Sequence, residues 1–154
     1  MEHPSAPSLN RIAATATTHC LTGCAIGEVL GLVIATQLGW DDFGSIALAV
    51  VLAYIFGYAM TLRPLLRSGL ALGAALGVAF AADTLSITVM EIVDNAILLA
   101  IPGAMDAGIT SLLFWGSLAL ALAVAWVAAF PLNRYLIARG LGHAKAMEHG
   151  HRHH

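Results

Sequence analysis

The sequence predicts an all-α integral membrane protein with four transmembrane helices and both termini in the cytoplasm. Of its 154 residues, 59% are hydrophobic and 10% are charged, and the mean hydropathy is +0.83. Soluble domains carry about 25% charged residues, so this composition is typical of a membrane protein. Four apolar segments each reach or approach the roughly 20 residues that a spanning helix needs. With four spans, all seven Lys and Arg residues fall on one side of the membrane.

The segments divide the chain into three parts. We predict a mobile tail at 1–11, a transmembrane domain at 12–138 and a histidine-rich cytoplasmic tail at 139–154. Loops with glycine, proline or charged residues separate the four expected spans, which lie at 12–38, 45–62, 69–101 and 109–130, and a continuation of the last past Pro131 to residue 136 stays open. The last tail ends with four histidines that can chelate a transition metal or simply be solvated: His149, His151, His153 and His154.

The basic residues set the predicted orientation. Those that share one side are Arg11, Arg63, Arg67, Arg134, Arg139, Lys145 and Arg152. By the positive-inside rule that side is the cytoplasm, and Asp41, Asp42 and Asp106 then lie outside. The net charge is −2 and no basic face is present, which excludes nucleic acid as a partner. No signal peptide is recognisable at the start. The apolar composition makes the lipid bilayer the expected surrounding.

The first span carries an unusual set of polar residues. Cys20, Cys24 and Glu28 recur at i, i+4 and i+8, so they share one face of a helix, and His19 precedes the first cysteine. An acid in hydrocarbon is costly and by default indicates a functional site. A buried cysteine can also serve as a small hydrophobic residue, and that alternative stays open.

The third span carries three acids. Asp83, Glu91 and Asp94 share an arc of about 80° with Met90 nearby. With inner ends taken near residues 15 and 68, Glu28 and Asp83 both lie about 20 Å deep, so we expect them to face each other. The pair is a candidate ion site or proton relay, of which at least one member is expected to hold a proton unless a cation is bound. Alternatively, such acids are neutral and only fix packing.

Glycines recur at intervals of four in the first and third spans. The two series are Gly23, Gly27 and Gly31, and Gly69, Gly73 and Gly77. Small residues at this spacing let membrane helices approach closely, so we expect helices one and three to pack through them, within or between protomers. Such faces also favour a homo-oligomer. The fourth span has no acid and is expected to be scaffold.

Three motifs together resemble a family of small bacterial integral membrane proteins known only as domain of unknown function 4396. The motifs are HCLTGCAIGEVLG at 19–31, ADTLSITVMEIVDN at 82–95 and FWGSLALALAVAWVAAFPLNRYLIARGLGHA at 114–144. The resemblance covers most of the chain after residue 18. It implies a multi-pass protein of the bacterial inner membrane and supplies no activity.

Three functions fit these residues. The first is binding or transport of a transition-metal ion, Cu or Zn, at a site between helices one and three, with ligands from His19, Cys20, Cys24, Glu28, Asp83, Met90, Glu91 and Asp94. The second is a dithiol redox or cofactor-binding protein that uses Cys20 and Cys24. The third is a non-catalytic accessory subunit of a membrane complex. No set of nucleophile, base and orienting group is visible, so an enzyme is not expected.

Overall fold

A computed structural model describes residues 8–139, except for the side chain of Ala82. It contains four helices, which are α1 (Leu9–Gln37), α2 (Asp42–Arg67), α3 (Leu72–Ala100) and α4 (Leu112–Ala138). Each overlaps one of the four expected spans. Residues 1–7 of the predicted N-terminal tail and residues 140–154 of the histidine-rich tail lie outside the described part of the chain.

Local sequence explains where the helices begin and end. The side-chain oxygens of Ser8, Asp41 and Ser111 accept hydrogen bonds from backbone N–H groups of the first turns of α1, α2 and α4. Gly39 and Gly69 follow α1 and α2 with φ of 70° and 92°, a left-handed conformation that favours glycine. The sequence predicted a loop at 63–68, but α2 continues to Arg67, because the chain accommodates Pro64 within its last turns.

Three of the helices, α1, α2 and α4, are long and apolar enough to cross a membrane. α3 is bent by 45° between its parts Leu72–Ala81 and Asp83–Ala100, and these two parts together pass the same test. The chain therefore has three candidate spans, or four when the bent helix is one span. This agrees with a membrane protein, and the count of four stays a prediction.

The glycines of α1 pack against α2. A Cβ added at Gly23 would lie 2.9 Å from the Cα of Gly57, and Gly27 and Gly31 abut the α2 backbone at Ala53 and Ala49. In contrast, a Cβ at Gly73 or at Gly77 would meet nothing within 4 Å. Within one protomer, the prediction that helices one and three touch through their glycines is therefore wrong. The glycine face of α1 contacts α2 because the neighbouring face of α1, which carries the two cysteines, packs against α3.

Side-chain hydrogen bonds join the start of α1 to the end of α4. Arg134 Nε donates to Asn10 Oδ1 at 2.6 Å, and Asn133 Nδ2 donates to Thr17 Oγ1 at 2.9 Å. Consecutive helices run antiparallel, so one end of the bundle receives the arginines of the described residues: Arg11, Arg63, Arg67, Arg134 and Arg139. We call it the arginine end, and the other the opposite end.

Candidate functional site

Polar side chains form a buried row between α1 and α3. We call it the polar row, and its members are Cys20, Cys24 and Glu28 of α1 and Asp83, Ser86, Glu91 and Asp94 of α3. Each of these side chains is at most 5% exposed. The sequence correctly predicted that the cysteine face of α1 and the acidic arc of α3 lie in the interior.

The two thiols lie at the middle of the bundle. The thiol of Cys24 interacts with that of Cys20 and with the carboxyl group of Glu91. The hydroxyl of Ser86 donates to Cys20 Sγ at 3.6 Å. Around the thiols pack residues from α2, α3 and α4, namely Ala53, Ile87, Met90, Ala125 and Ala129. The cysteines are not joined by a disulfide, so two adjacent sulfur atoms and a thioether are available as soft ligands.

The carboxyl groups of Glu28 and Asp94 lie side by side toward the opposite end. Their exposed fractions are 0% and 1%, and within residues 8–139 none of their oxygens receives a hydrogen bond from a donor. Glu91 is close to both, and its Oε2 accepts a hydrogen bond from Asn95 at 3.4 Å. Adjacent ionised carboxylates without donors are very unfavourable in an apolar interior. The pair is therefore expected to hold at least one proton unless a cation is bound.

The partner of Glu28 differs from the one that the sequence predicted. Asp94, rather than Asp83, lies beside it. α1 begins at Leu9 and α3 at Leu72, whereas the sequence predicted inner ends near residues 15 and 68. Together the two differences shift the level of α3 relative to α1 by about ten residues, or roughly 15 Å along the helix axis. Counted in residues from the start of each helix, Asp83 of α3 lies at the same level as Cys20 of α1.

The other two predicted ligands have separate positions. His19 is partly buried, and its Nε2 lies 3.0 Å from the backbone carbonyl of Met60 on α2, to which it donates a hydrogen bond. It therefore lies outside the polar row. Met90 is 1% exposed and packs in the same cluster as both cysteines. In residues 8–139, no three His, Cys, Asp or Glu side chains are grouped so that they could hold a metal ion.

Sequence reasoning missed Asn133. It treated the fourth span as scaffold, yet Asn133 is 1% exposed and contacts Thr17, one turn before Cys20. Its Oδ1 has no hydrogen-bond partner in the described part of the chain. The sequence does contain a pattern that predicts its burial. Four residues of α4 recur at intervals of four and so predict one buried face: Ala121, Ala125, Ala129 and Asn133.

The family model described as "Domain of unknown function (DUF4396)" matches residues 10–142 of the chain. This range includes the whole polar row and all four helices, apart from Leu9 at the start of α1. No match was found among the curated proteins or among the solved structures.

Proposed function

The chain belongs to the DUF4396 family, and from its polar row we propose that it binds and transports a transition-metal cation, Cu(I) or Zn²⁺. The observation that carries the proposal is the buried polar row, in which Cys24 interacts with Cys20 and Glu91, and Glu28 lies beside Asp94. Polar groups of this kind are expensive within a membrane, and they are the usual mark of an ion pathway.

The ligand types favour a soft cation. Thiolates and thioethers select Cu(I), and thiolates also bind Zn²⁺. Cu(I) accepts two thiolate ligands, so the adjacent Cys20 and Cys24 suffice for a first binding position. Met90 packs against them, and Glu91 reaches Cys24. Glu28 and Asp94 then offer a second, purely oxygen-based position farther along the row.

A dithiol redox function is the second candidate. It rests on the contact between the two thiols. Residues at i and i+4 of a helix have Cβ atoms about 5–6 Å apart, whereas a disulfide requires about 3.5–4.5 Å. Oxidation would therefore distort α1, which lies packed against α2 through its glycines. Metal binding needs no such distortion. The accessory-subunit hypothesis predicts neither bound metal nor a reactive dithiol.

For orientation, we propose four spans in the bacterial inner membrane, with both termini and the arginine end in the cytoplasm. The one-sided placement of the arginines supports this. We expect reporter fusions after residues 41 and 106 to report the outer side and fusions after residue 68 the cytoplasm. A C-terminal fusion that reports the outer side would contradict the proposal.

We also propose that the protein assembles as a homo-oligomer. Gly73 and Gly77 lie on a part of α3 with open space around them. Leu72, Leu76 and Phe80 on the same part are exposed. A surface of small and apolar residues suits close helix contact between two copies in a membrane.

Cation binding should compete with protons at Glu28. Ligands must lose their protons to bind a metal, so the affinity of the wild type for Zn²⁺ is expected to fall as the pH falls, by about tenfold per pH unit for each proton displaced. Glu28→Gln keeps the size of the side chain and removes one of these protons. The slope of log affinity against pH should fall by about one. Isothermal titration with Zn²⁺ at several pH values around neutrality measures it, with alanine in place of the four tail histidines in every protein compared.

The matched control is Asp42→Asn. Asp42 is an exposed acid in the first turn of α2, outside the buried polar row. Its replacement should leave the slope unchanged. Equal slopes for the wild type and Glu28→Gln would remove Glu28 from the cation site.

A further inference from the structure

The polar row is closed at one end by apolar side chains. Leu32 lies one turn beyond Glu28 on α1, and Leu98 lies one turn beyond Asp94 on α3. With Phe114 and Leu118 of α4 they form one buried cluster, and each is at most 5% exposed. We call these four residues the apolar layer. Side chains of the α3–α4 connection pack on it: Met105, Ala107 and Ile109.

The other end of the row has a different lining. Thr17 lies one turn before Cys20, and its hydroxyl donates to the Ala13 carbonyl at 2.7 Å while accepting from Asn133 at 2.9 Å. Both side chains are fully or almost fully buried. Asn133 Oδ1 is a buried acceptor that no donor in residues 8–139 reaches. An acceptor in this state is costly unless a water molecule or a cation is available to it.

These two linings differ in what they allow to pass. A buried apolar constriction stays dry and excludes ions, whereas hydroxyl and amide oxygens replace water molecules around a cation. The neighbours of Thr17 on α1 are also small and buried, since Ala13 accepts its hydrogen bond and Ala16 precedes it in the chain. A cation at the thiols therefore has polar contacts toward the arginine end, and at Glu28 it meets hydrocarbon toward the opposite end.

We propose that a cation enters the polar row from the arginine end, past Thr17 and Asn133, and that the apolar layer is the barrier to the opposite end. The inference deepens the proposed metal function and rests on it for the identity of the cation. It adds Thr17 and Asn133 as residues of the entry path, and it assigns the layer the role of a closed gate.

Labelling of the native thiols tests this access. Membrane vesicles of both orientations, with sides assigned by the reporter fusions, are treated with a small membrane-impermeant methanethiosulfonate. Cys20→Ser/Cys24→Ser gives the background. We expect labelling from the arginine end to be at least about tenfold faster than from the opposite end, because the dry layer excludes the charged reagent. Faster labelling from the opposite end, equal labelling from both, or none from either would overturn the proposal.

Two pairs of matched variants test the apolar layer and the lining at Thr17 separately. Leu98→Ala should raise labelling from the opposite end several-fold, whereas Leu99→Ala should not, since Leu99 is its exposed neighbour on the same helix. Thr17→Val should slow labelling from the arginine end, and Thr22→Val should not. Both threonines donate to the carbonyl four residues earlier, but Thr22 is exposed. Equal effects within either pair would reject the assigned lining.

The labelling result is separate from metal binding. It needs no metal, and Cu(I) loading of the purified protein is measured independently. Protein that binds Cu(I) but is labelled from the opposite end would contradict the entry path and leave the proposed function standing. Protein that is labelled from the arginine end but binds neither Cu(I) nor Zn²⁺ would contradict the metal function.

Discussion

Cys20→Ser/Cys24→Ser is expected to abolish metal loading. The two thiols are adjacent and buried, and they are the softest ligands that the polar row offers. Serine keeps the size but provides a hard, neutral oxygen that binds Cu(I) poorly. Wild-type protein should hold on the order of one Cu(I) per chain, and the double variant less than about a tenth of that. Elemental analysis after gel filtration measures both.

Metal bound by the histidines of the tail would add to the metal measured per chain. All proteins compared should therefore carry alanine at positions 149, 151, 153 and 154, because clustered histidines bind transition metals themselves. Ala25→Ser is the matched control, since it introduces a hydroxyl on the same helix directly after Cys24. It should load as the wild type does. Equal loading of the wild type and the double variant would exclude the thiols as ligands.

The same proteins distinguish the other two functions. A thiol count that falls reversibly on oxidation, without bound metal, would favour the dithiol redox function. A protein with neither property would favour the accessory subunit.

Gly27→Leu is expected to disrupt the fold. A Cβ at this position would overlap the backbone of Leu52 and Ala53 on α2, and backbone cannot rotate away as a side chain can. α1 and α2 would have to separate along their length, which would loosen the contacts at Gly23 and Gly31 as well. Overpacking that forces backbone to move costs about 3 kcal/mol or more. Thermal unfolding in detergent measures the loss, together with the yield of monodisperse protein.

Gly116→Leu provides the matched control. Gly116 also lies inside a helix, but a Cβ there would meet nothing within 4 Å. It should unfold at nearly the wild-type temperature. Similar losses for both variants would mean that the leucine acts through helix propensity or membrane insertion and that the close α1–α2 contact is unimportant.

The sequence predicted the helices and the buried faces well, and the physical reasons are local. Apolar length sets the spans. The interval of four that joins Cys20, Cys24 and Glu28 is a property of one helix, so no knowledge of neighbours is needed to see that they share a face. The acids of α3 follow from the same geometry.

The pairing between helices could not be predicted in the same way. The level at which Glu28 meets α3 depends on where α1 and α3 begin, and errors at both starts add. Likewise, the α1 glycines could contact any helix with small residues, and Ala49, Ala53 and Gly57 of α2 repeat the interval as well as Gly73 and Gly77 do. Asn133 was missed because its role depends on Thr17, which precedes it by more than a hundred residues.

The central claim is that a metal cation is bound by the thiols of the polar row. X-ray absorption at the metal edge tests it most directly, with protein that carries the alanine replacements in its tail and is loaded with Cu(I) or with Zn²⁺. We predict sulfur neighbours, at about 2.3 Å in the Zn²⁺ form, which disappear in Cys20→Ser/Cys24→Ser. A shell of nitrogen and oxygen alone, or protein that retains neither metal, would contradict it.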